Sequence, residues 1–510
     1  MPHTESDKTK YNNQPDPMII TGGMGVHISC WQMVRIVSMM GGLGVVSGTA
    51  LEIVYPRILQ NGDPGGHVRR AFNELARRQP ALAEPLGRLI EKYYIEGGKA
   101  ADAPFKTVPF AKLSRIEGHT GLDSFWESSR ELQALTLAAN FAEVWLAKEG
   151  HDGLVGINFL RKVERPLPYS LYGAILAGVD YVLVGAGSPP ELPGMIDLLS
   201  RHQTASLPFK VHGARSDSGE FYVTVRPETL VGSNAGVLKR PKFLAIVASF
   251  GLARVLASNP KSRPYGFVVE GPQAGGHNAP PAKMRFDDHG RQIVEYTEQD
   301  RADISAIAGL GLPFWLAGSY AGAEHLREAL AKGATGVQIG TAAALSGQSG
   351  MEPELRARVA RMAARNELVV MDTMVSPTGF PFKVAQIPGT VSDKAVYASR
   401  RRVCDMCLLQ ANYITPDGAL GYRCPAEPVD AFTAKGGRVQ NTVGRACLCN
   451  GLLATAGLAQ IRADGYVEPP IVTLGDDFQT AKELLTLLPP GQETYSIGKL
   501  LFFLRKGVQA

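Results

Sequence analysis

Residues 268–278 read Val268-Val-Glu-Gly-Pro-Gln-Ala-Gly-Gly-His-Asn278, an apolar run that passes a carboxylate and a glycine pair and reaches one histidine. The run has the composition of a buried parallel strand. A strand that stops at paired glycines leaves bare backbone at its carboxyl end, where a planar ligand can lie flat, and His277 is the nearby side chain able to exchange a proton near neutral pH. A tight turn carrying a solvated histidine would read the same way if the stretch stood alone. Two further stretches, Pro313-Phe-Trp-Leu-Ala-Gly-Ser-Tyr-Ala-Gly322 and Gly333-Ala-Thr-Gly-Val-Gln-Ile-Gly-Thr341, follow at strand–helix–strand spacing, each ending in glycine with serine or threonine. Free N–H groups and a hydroxyl at two adjacent strand ends form a phosphate cradle, the arrangement found after strands seven and eight of a (β/α)8 barrel. Two ordinary glycine-rich turns are the plainer alternative.

The remaining strands of such a barrel can be counted toward the N-terminus. Pro17-Met-Ile-Ile-Thr-Gly-Gly-Met-Gly25 reads as a first strand and its glycine turn, Trp31 to Met40 as a helix that Gly41-Gly-Leu-Gly44 closes, and Leu43 to Ser47 as a second strand. Leu154 to Leu160 and Tyr181 to Ser188 supply the third and fourth. Phe209 to His212 and Phe243 to Ser249 both qualify as the fifth; the later run is preferred because its helix leads into the Phe267–Glu270 strand at normal spacing. The expected architecture is therefore α/β, a (β/α)8 TIM barrel over residues 17–385. It carries an inserted helical segment at 55–148, read as a lid or a subunit contact, and a hairpin insertion at 216–240. Residues 1–16 are polar and expected to be flexible, and residues 386–510 form a C-terminal module that contains most of the cysteines.

Composition fits this reading. The chain has 510 residues with 45% hydrophobic and 20% charged, and its 56 Gly and 34 Pro suit many strand–loop–helix junctions rather than a helical bundle. A net charge of +5 with scattered basic residues hints at an anionic ligand and makes no case for nucleic acid. No run approaches the roughly 18 uninterrupted apolar residues of a membrane-spanning helix. A cytoplasmic protein, and a homo-oligomer, are the expectations.

Taken together, the Glu270-Gly-Pro-Gln-Ala-Gly-Gly-His277 block, the Gly41–Gly44 turn, Gly156-Ile-Asn158, the Gly318 and Gly340 turns, and Asp372-Thr373 followed by Thr378-Gly-Phe-Pro resemble the nitronate monooxygenase family. That family is also called the 2-nitropropane dioxygenases and is related to the flavin-dependent enoyl-acyl carrier protein reductases. The resemblance covers about residues 17–384. It implies FMN at the carboxyl ends of the strands, with Gly318, Ser319, Gly322, Gly340 and Thr341 at the phosphate. Met24 and Gly25 would line the ring, Asn158 and Gln338 would make polar contacts to its edge, and Gly275 and Gly276 would pass beneath it; Glu270, by its own place at a strand end, reads either as facing the cofactor cavity or as a structural hydrogen-bond partner. His277 would be the catalytic acid or base. The chain departs from the pattern at Gly318-Ser319, where a glycine pair is usual, and at Asn278-Ala-Pro-Pro281 after the histidine.

Five of the six cysteines, Cys404, Cys407, Cys424, Cys447 and Cys449, fall in the last quarter of the chain. A Cys-x-x-Cys pair with later cysteines is open to three readings: a zinc or iron–sulfur site, redox or substrate-facing thiols, or plain buried thiols. Cys30 reads as core, and His119, His151 and His212 as isolated side chains.

Three functions stay open at this point. The first is an FMN-dependent monooxygenase or oxidase acting with O2 on a small activated carbon acid such as an alkyl nitronate. The second is an NAD(P)H-dependent FMN reductase of an enoyl thioester, with an acyl carrier protein as possible partner. The third is a non-catalytic flavin-binding scaffold subunit.

Overall fold

A computed structural model describes residues 15–110, 130–214, 221–233 and 236–509. The expected flexible N-terminus lies outside the described residues except for its last two, as do parts of both insertions. Eight parallel strands close into a barrel: β1 (Ile19–Thr21), β2 (Leu43–Ser47), β3 (Val155–Leu160), β4 (Tyr181–Gly185), β5 (Lys242–Val247), β6 (Gly266–Glu270), β7 (Phe314–Ala317) and β8 (Gly336–Ile339). Each strand pairs in parallel with its neighbours in the chain's own order, and β1 closes the ring against β8 through Ile20 beside Gln338. These are the eight runs expected from the sequence.

The strands read as unbroken apolar runs because both of their faces are buried. Alternate residues point inward, and Ile20, Val45, Tyr181, Leu183, Leu244, Val268 and Trp315 fill the barrel's interior as one cluster. The other residues pack under the helical layer. At the amino-terminal end Asp16 accepts hydrogen bonds from Tyr181 Oη (2.6 Å), Tyr265 Oη (2.7 Å) and Lys242 Nζ (2.7 Å), while Trp315 Nε1 donates to Pro17 O at 2.7 Å. One carboxylate thus satisfies two buried donors and one half-buried one at the bottom of the barrel.

The structure moves one expected element and resolves the one ambiguous strand as preferred. The last helix of the first insertion, Arg130–Lys148, is buried along almost its whole length and packs on Leu167–Leu176, so it belongs to the barrel's helical layer rather than to a lid. Its Glu143 accepts from Trp31 N (2.7 Å) and Tyr55 Oη (2.8 Å), which fixes the start of the helix that follows β1. The ambiguous Phe209–His212 run stays out of the barrel: Ala205–Phe209 pairs antiparallel with Phe221–Val225, and Val211–His212 lies parallel to Ala411–Ile414.

From residue 386 the chain returns to the barrel repeatedly. Ala411–Ile414 completes the small sheet just named, residues 473–477 fold over the strand ends, and Ile497–Gln509 packs on Ala323–Ala331 and Trp31–Met39. Among the described residues no helix is long and apolar enough to cross a membrane.

Candidate active site

A cleft opens at the carboxyl ends of the barrel strands, with about 1330 Å3 of empty space including its mouth. Every residue expected to hold the cofactor lines it, together with His277, except Gly322. Gly322 is instead the N-cap of the Ala323–Ala331 helix, just past the lining residue Ala321.

The loop ends are built by backbone crowding. Gly22 N donates to Ile339 O at 2.9 Å, and Met24 N to Ser29 Oγ at 2.9 Å, which holds the Met24–Gly25 turn over the strand ends. Asn158, on β3, donates Nδ2 to Gly23 O at 3.3 Å. Ser319 adopts φ +65°, the left-handed region, immediately after Gly318 at φ +87°. A serine held there is strained by about 1 kcal/mol or more, a cost that the surrounding turn imposes.

His277 sits on a short strand, Gly276–His277, that pairs antiparallel with Pro381–Ala385, His277 facing Phe382. The Phe382 ring lies 4.6 Å from the imidazole, centroid to centroid, and the Phe380 ring 6.5 Å edge-on. The imidazole forms part of the wall between the cleft and a second space of about 1600 Å3, mouth included, lined by Phe380, Tyr296 and the 277–282 segment. Burial, and then the Lys162 ammonium, hold its pKa well below the ordinary imidazole range, so it is a neutral base at physiological pH. Glu270 also faces both spaces, and burial raises its carboxyl to about 7.

Three buried polar atoms of lining residues have no hydrogen-bond partner: His277 Nε2, Asn158 Oδ1 and Gln338 Oε1. Such atoms cost roughly 1–3 kcal/mol each unless something in the cleft pairs with them. The cleft also has room at Gly340, where a Cβ would meet nothing closer than Met24 Sδ at 3.8 Å. Acceptors of N–H groups and an uncrowded glycine at a strand end fit a flavin with a phosphate tail.

Residues 473–477 were not anticipated. Gly475 N donates to Thr341 Oγ1 at 2.8 Å, and a Cβ at Gly275 would lie 2.6 Å from Gly475 N, so the neighbour that demands glycine at 275 is the chain's own backbone. Lys383 ties the loop down through Asp476 Oδ2 (2.7 Å) and Pro272 O (2.8 Å). Lys162 was also missed: a lysine two residues past a strand carries no signal in the sequence that separates it from any surface lysine.

All six cysteines are free thiols. Cys404 bears electrostatically on Cys424, Cys447 and Cys449, which places the C-terminal thiols in one region. Yet among the described residues no group of three or more His, Cys, Asp or Glu side chains is arranged to hold a metal ion, so the arrangement gives no support to the zinc or iron–sulfur site that was one of three readings of Cys404, Cys407, Cys424, Cys447 and Cys449. The thiols are engaged locally instead. Cys404 Sγ accepts from Cys407 N at 3.2 Å, and the Arg165 and Arg400 guanidiniums bind the backbone carbonyls of Cys407 and Cys447. Hydrogen bonding with Cys407, foremost, lowers the Cys404 pKa below the ordinary thiol value, and Cys404 is exposed.

No protein-family model matches the chain, and no curated protein matches it in sequence. Its fold is similar to several solved structures. FabK from Thermotoga maritima is 15% identical, with a TM-score of 0.45 over 97% of this chain and 93% of that one. A nitroalkane oxidase from Streptomyces ansochromogenes is 13% identical, with a TM-score of 0.43 over 98% and 97%. The enoyl reductase domain of MlnA from Bacillus amyloliquefaciens is 11% identical, with a TM-score of 0.37 over 76% and 67%.

Proposed function

We propose that this protein is an FMN-dependent oxidoreductase that oxidises a small activated carbon acid, an alkyl nitronate or its parent nitroalkane, with O2. The observation that carries this reading is the set of unpartnered buried atoms His277 Nε2, Asn158 Oδ1 and Gln338 Oε1 in one cleft at the barrel's carboxyl end. When bound, FMN supplies the electron-accepting chemistry that no side chain offers.

The chain's own residues do the rest. Asn158 and Gln338 accept N–H groups at the flavin edge, and the Gly318–Ser319 and Gly340–Thr341 turns hold the phosphate. Neutral His277 takes the α-proton of a nitroalkane at Nε2 and, as imidazolium, sits beside the anion it has made. A preformed nitronate needs no such step. Phe380 and Phe382 keep water from the imidazole and fix its ring.

One observation favours a second reading, the NAD(P)H-dependent reductase of an enoyl thioester: the space beyond His277 is larger than an alkyl nitronate requires. His277 would then have to take up a proton from solvent before passing it to the α-carbon, a step its burial opposes. Anaerobic mixing separates the two. Loss of flavin absorbance near about 450 nm on adding nitronate but not NAD(P)H supports the first, loss with NAD(P)H supports the second, and a protein that takes up no FMN overturns both.

A further inference from the structure

Another cavity, of about 1110 Å3 with its mouth included, lies between the loop after β3, the Pro377–Thr378 turn and the small sheet of Val211–His212, Ala411–Ile414 and Leu420–Arg423. Its wall presents the cations Lys162, Lys210, Arg423 and Arg445 against one carboxylate, Glu164, which Arg161 Nη1 engages at 3.3 Å. Three polar atoms of lining residues are withdrawn from solvent and have no hydrogen-bond partner: Lys162 Nζ, Gln410 Oε1 and Asn412 Oδ1. Asn412 donates its Nδ2 to Lys210 O at 3.3 Å, which leaves Oδ1 as an acceptor awaiting a donor.

The arginines are already held in place. Arg423 Nη1 donates to Lys435 O at 2.9 Å and its guanidinium lies 4.3 Å from the Tyr413 ring centre, while Arg445 Nη1 reaches Ser376 O at 3.4 Å. Each keeps further N–H groups for a ligand. A buried lysine amine without a hydrogen-bond partner, its pKa held well below the ordinary lysine range by burial, and two unpaired amide oxygens are costly, and a molecule that brings both anionic oxygens and N–H donors relieves them together by restoring the ammonium and pairing the oxygens.

We propose that this cavity binds an organic phosphate, its phosphate oxygens meeting Lys162 and the surrounding cations and its N–H groups meeting Gln410 and Asn412. Lys162 Nζ stands 4.4 Å from the Phe380 ring centre, and that ring packs edge-on to His277, so the ligand is held one aromatic ring away from the candidate catalytic imidazole. An adenine nucleotide and a phosphopantetheine arm share the required chemistry. The assignment does not depend on the flavin reading, since none of its residues belongs to the flavin cleft.

The test is calorimetric titration of the full chain with ADP, with phosphopantetheine and with inorganic phosphate, at low and high salt. One of the two organic phosphates binds, more weakly in high salt, and Lys162→Met and Lys210→Glu each weaken it by about tenfold or more. Lys210 is exposed, so its substitution leaves folding intact, and Lys162→Met removes a buried amine that has no hydrogen-bond partner and melts no lower than the parent. Preference for ADP identifies a nucleotide, and preference for phosphopantetheine identifies a carrier-bound thioester. Binding of neither, equal affinity for inorganic phosphate, or unchanged affinity in either variant overturns the proposal.

Discussion

Replacing Gly340 by aspartate tests the phosphate cradle without disturbing the chain. Gly340 has φ −130° and ψ −71°, outside the left-handed region that favours glycine, and a Cβ there meets nothing within 3.8 Å. The protein itself therefore has room for a side chain, and Gly340→Ala and Gly340→Asp should change folding stability by no more than about 0.5–1 kcal/mol. The carboxylate, however, enters the space assigned to a phosphate. Two like charges about 4 Å apart at an effective dielectric of roughly 20 repel by about 4 kcal/mol, which weakens FMN roughly 1,000-fold. Alanine separates volume from charge and should cost less. Gly275→Ala is the opposite control: its Cβ would lie 2.6 Å from the Gly475 and Leu474 backbone, so it should lower stability by about 1–3 kcal/mol whatever is bound. The assays are flavin content after purification, titration of the stripped protein with FMN, and thermal unfolding. A Gly340→Asp protein that keeps a full complement of flavin would refute the cradle.

His277→Gln should lower kcat/KM for a neutral nitroalkane by about 100- to 10,000-fold and leave the preformed nitronate within a few-fold; equal loss on both substrates would count against proton abstraction. Because burial and Lys162 hold the imidazole pKa below its ordinary range, base-dependent activity should persist as pH falls through 6.5, and a rate limb at or above that value would contradict the site's electrostatics. Burial raises Glu270 from 4.5 to about 7, so the folded state keeps a proton that the unfolded chain has lost. Glu270 should therefore contribute a fall in stability of about 3 kcal/mol as pH rises from about 4.5 to about 7, alongside the likewise raised Glu52 and Glu143, and Glu270→Gln should remove that share when unfolding is measured across the range. Cys404, exposed and with its thiol pKa lowered chiefly by the hydrogen bond with Cys407, should alkylate with iodoacetamide ahead of the other thiols; mass mapping that finds Cys447 or Cys449 modified first would reject this.

The amino-acid order by itself determined the barrel, because a strand buried on both faces must be an unbroken apolar run and a strand end beneath a ligand must be short of side chains. Runs such as Tyr181–Gly185 and Phe314–Ala317 satisfy the first condition, and the turns at Gly25, Gly276, Gly318 and Gly340 satisfy the second. Local pattern also singled out His277, since a lone titratable group after paired glycines stands out. Tertiary structure alone decided what surrounds them. Gly475 reaches Thr341 across more than a hundred residues, Phe382 meets His277 only because Pro381–Ala385 pairs with its strand, and Lys162 is buried without a partner only because the last quarter of the chain folds back over it. The same separation gathered five cysteines in one region, where the described residues form no group arranged for a metal ion. Contacts of this kind depend on where distant backbone segments come to rest, and no periodicity or spacing along the chain encodes that.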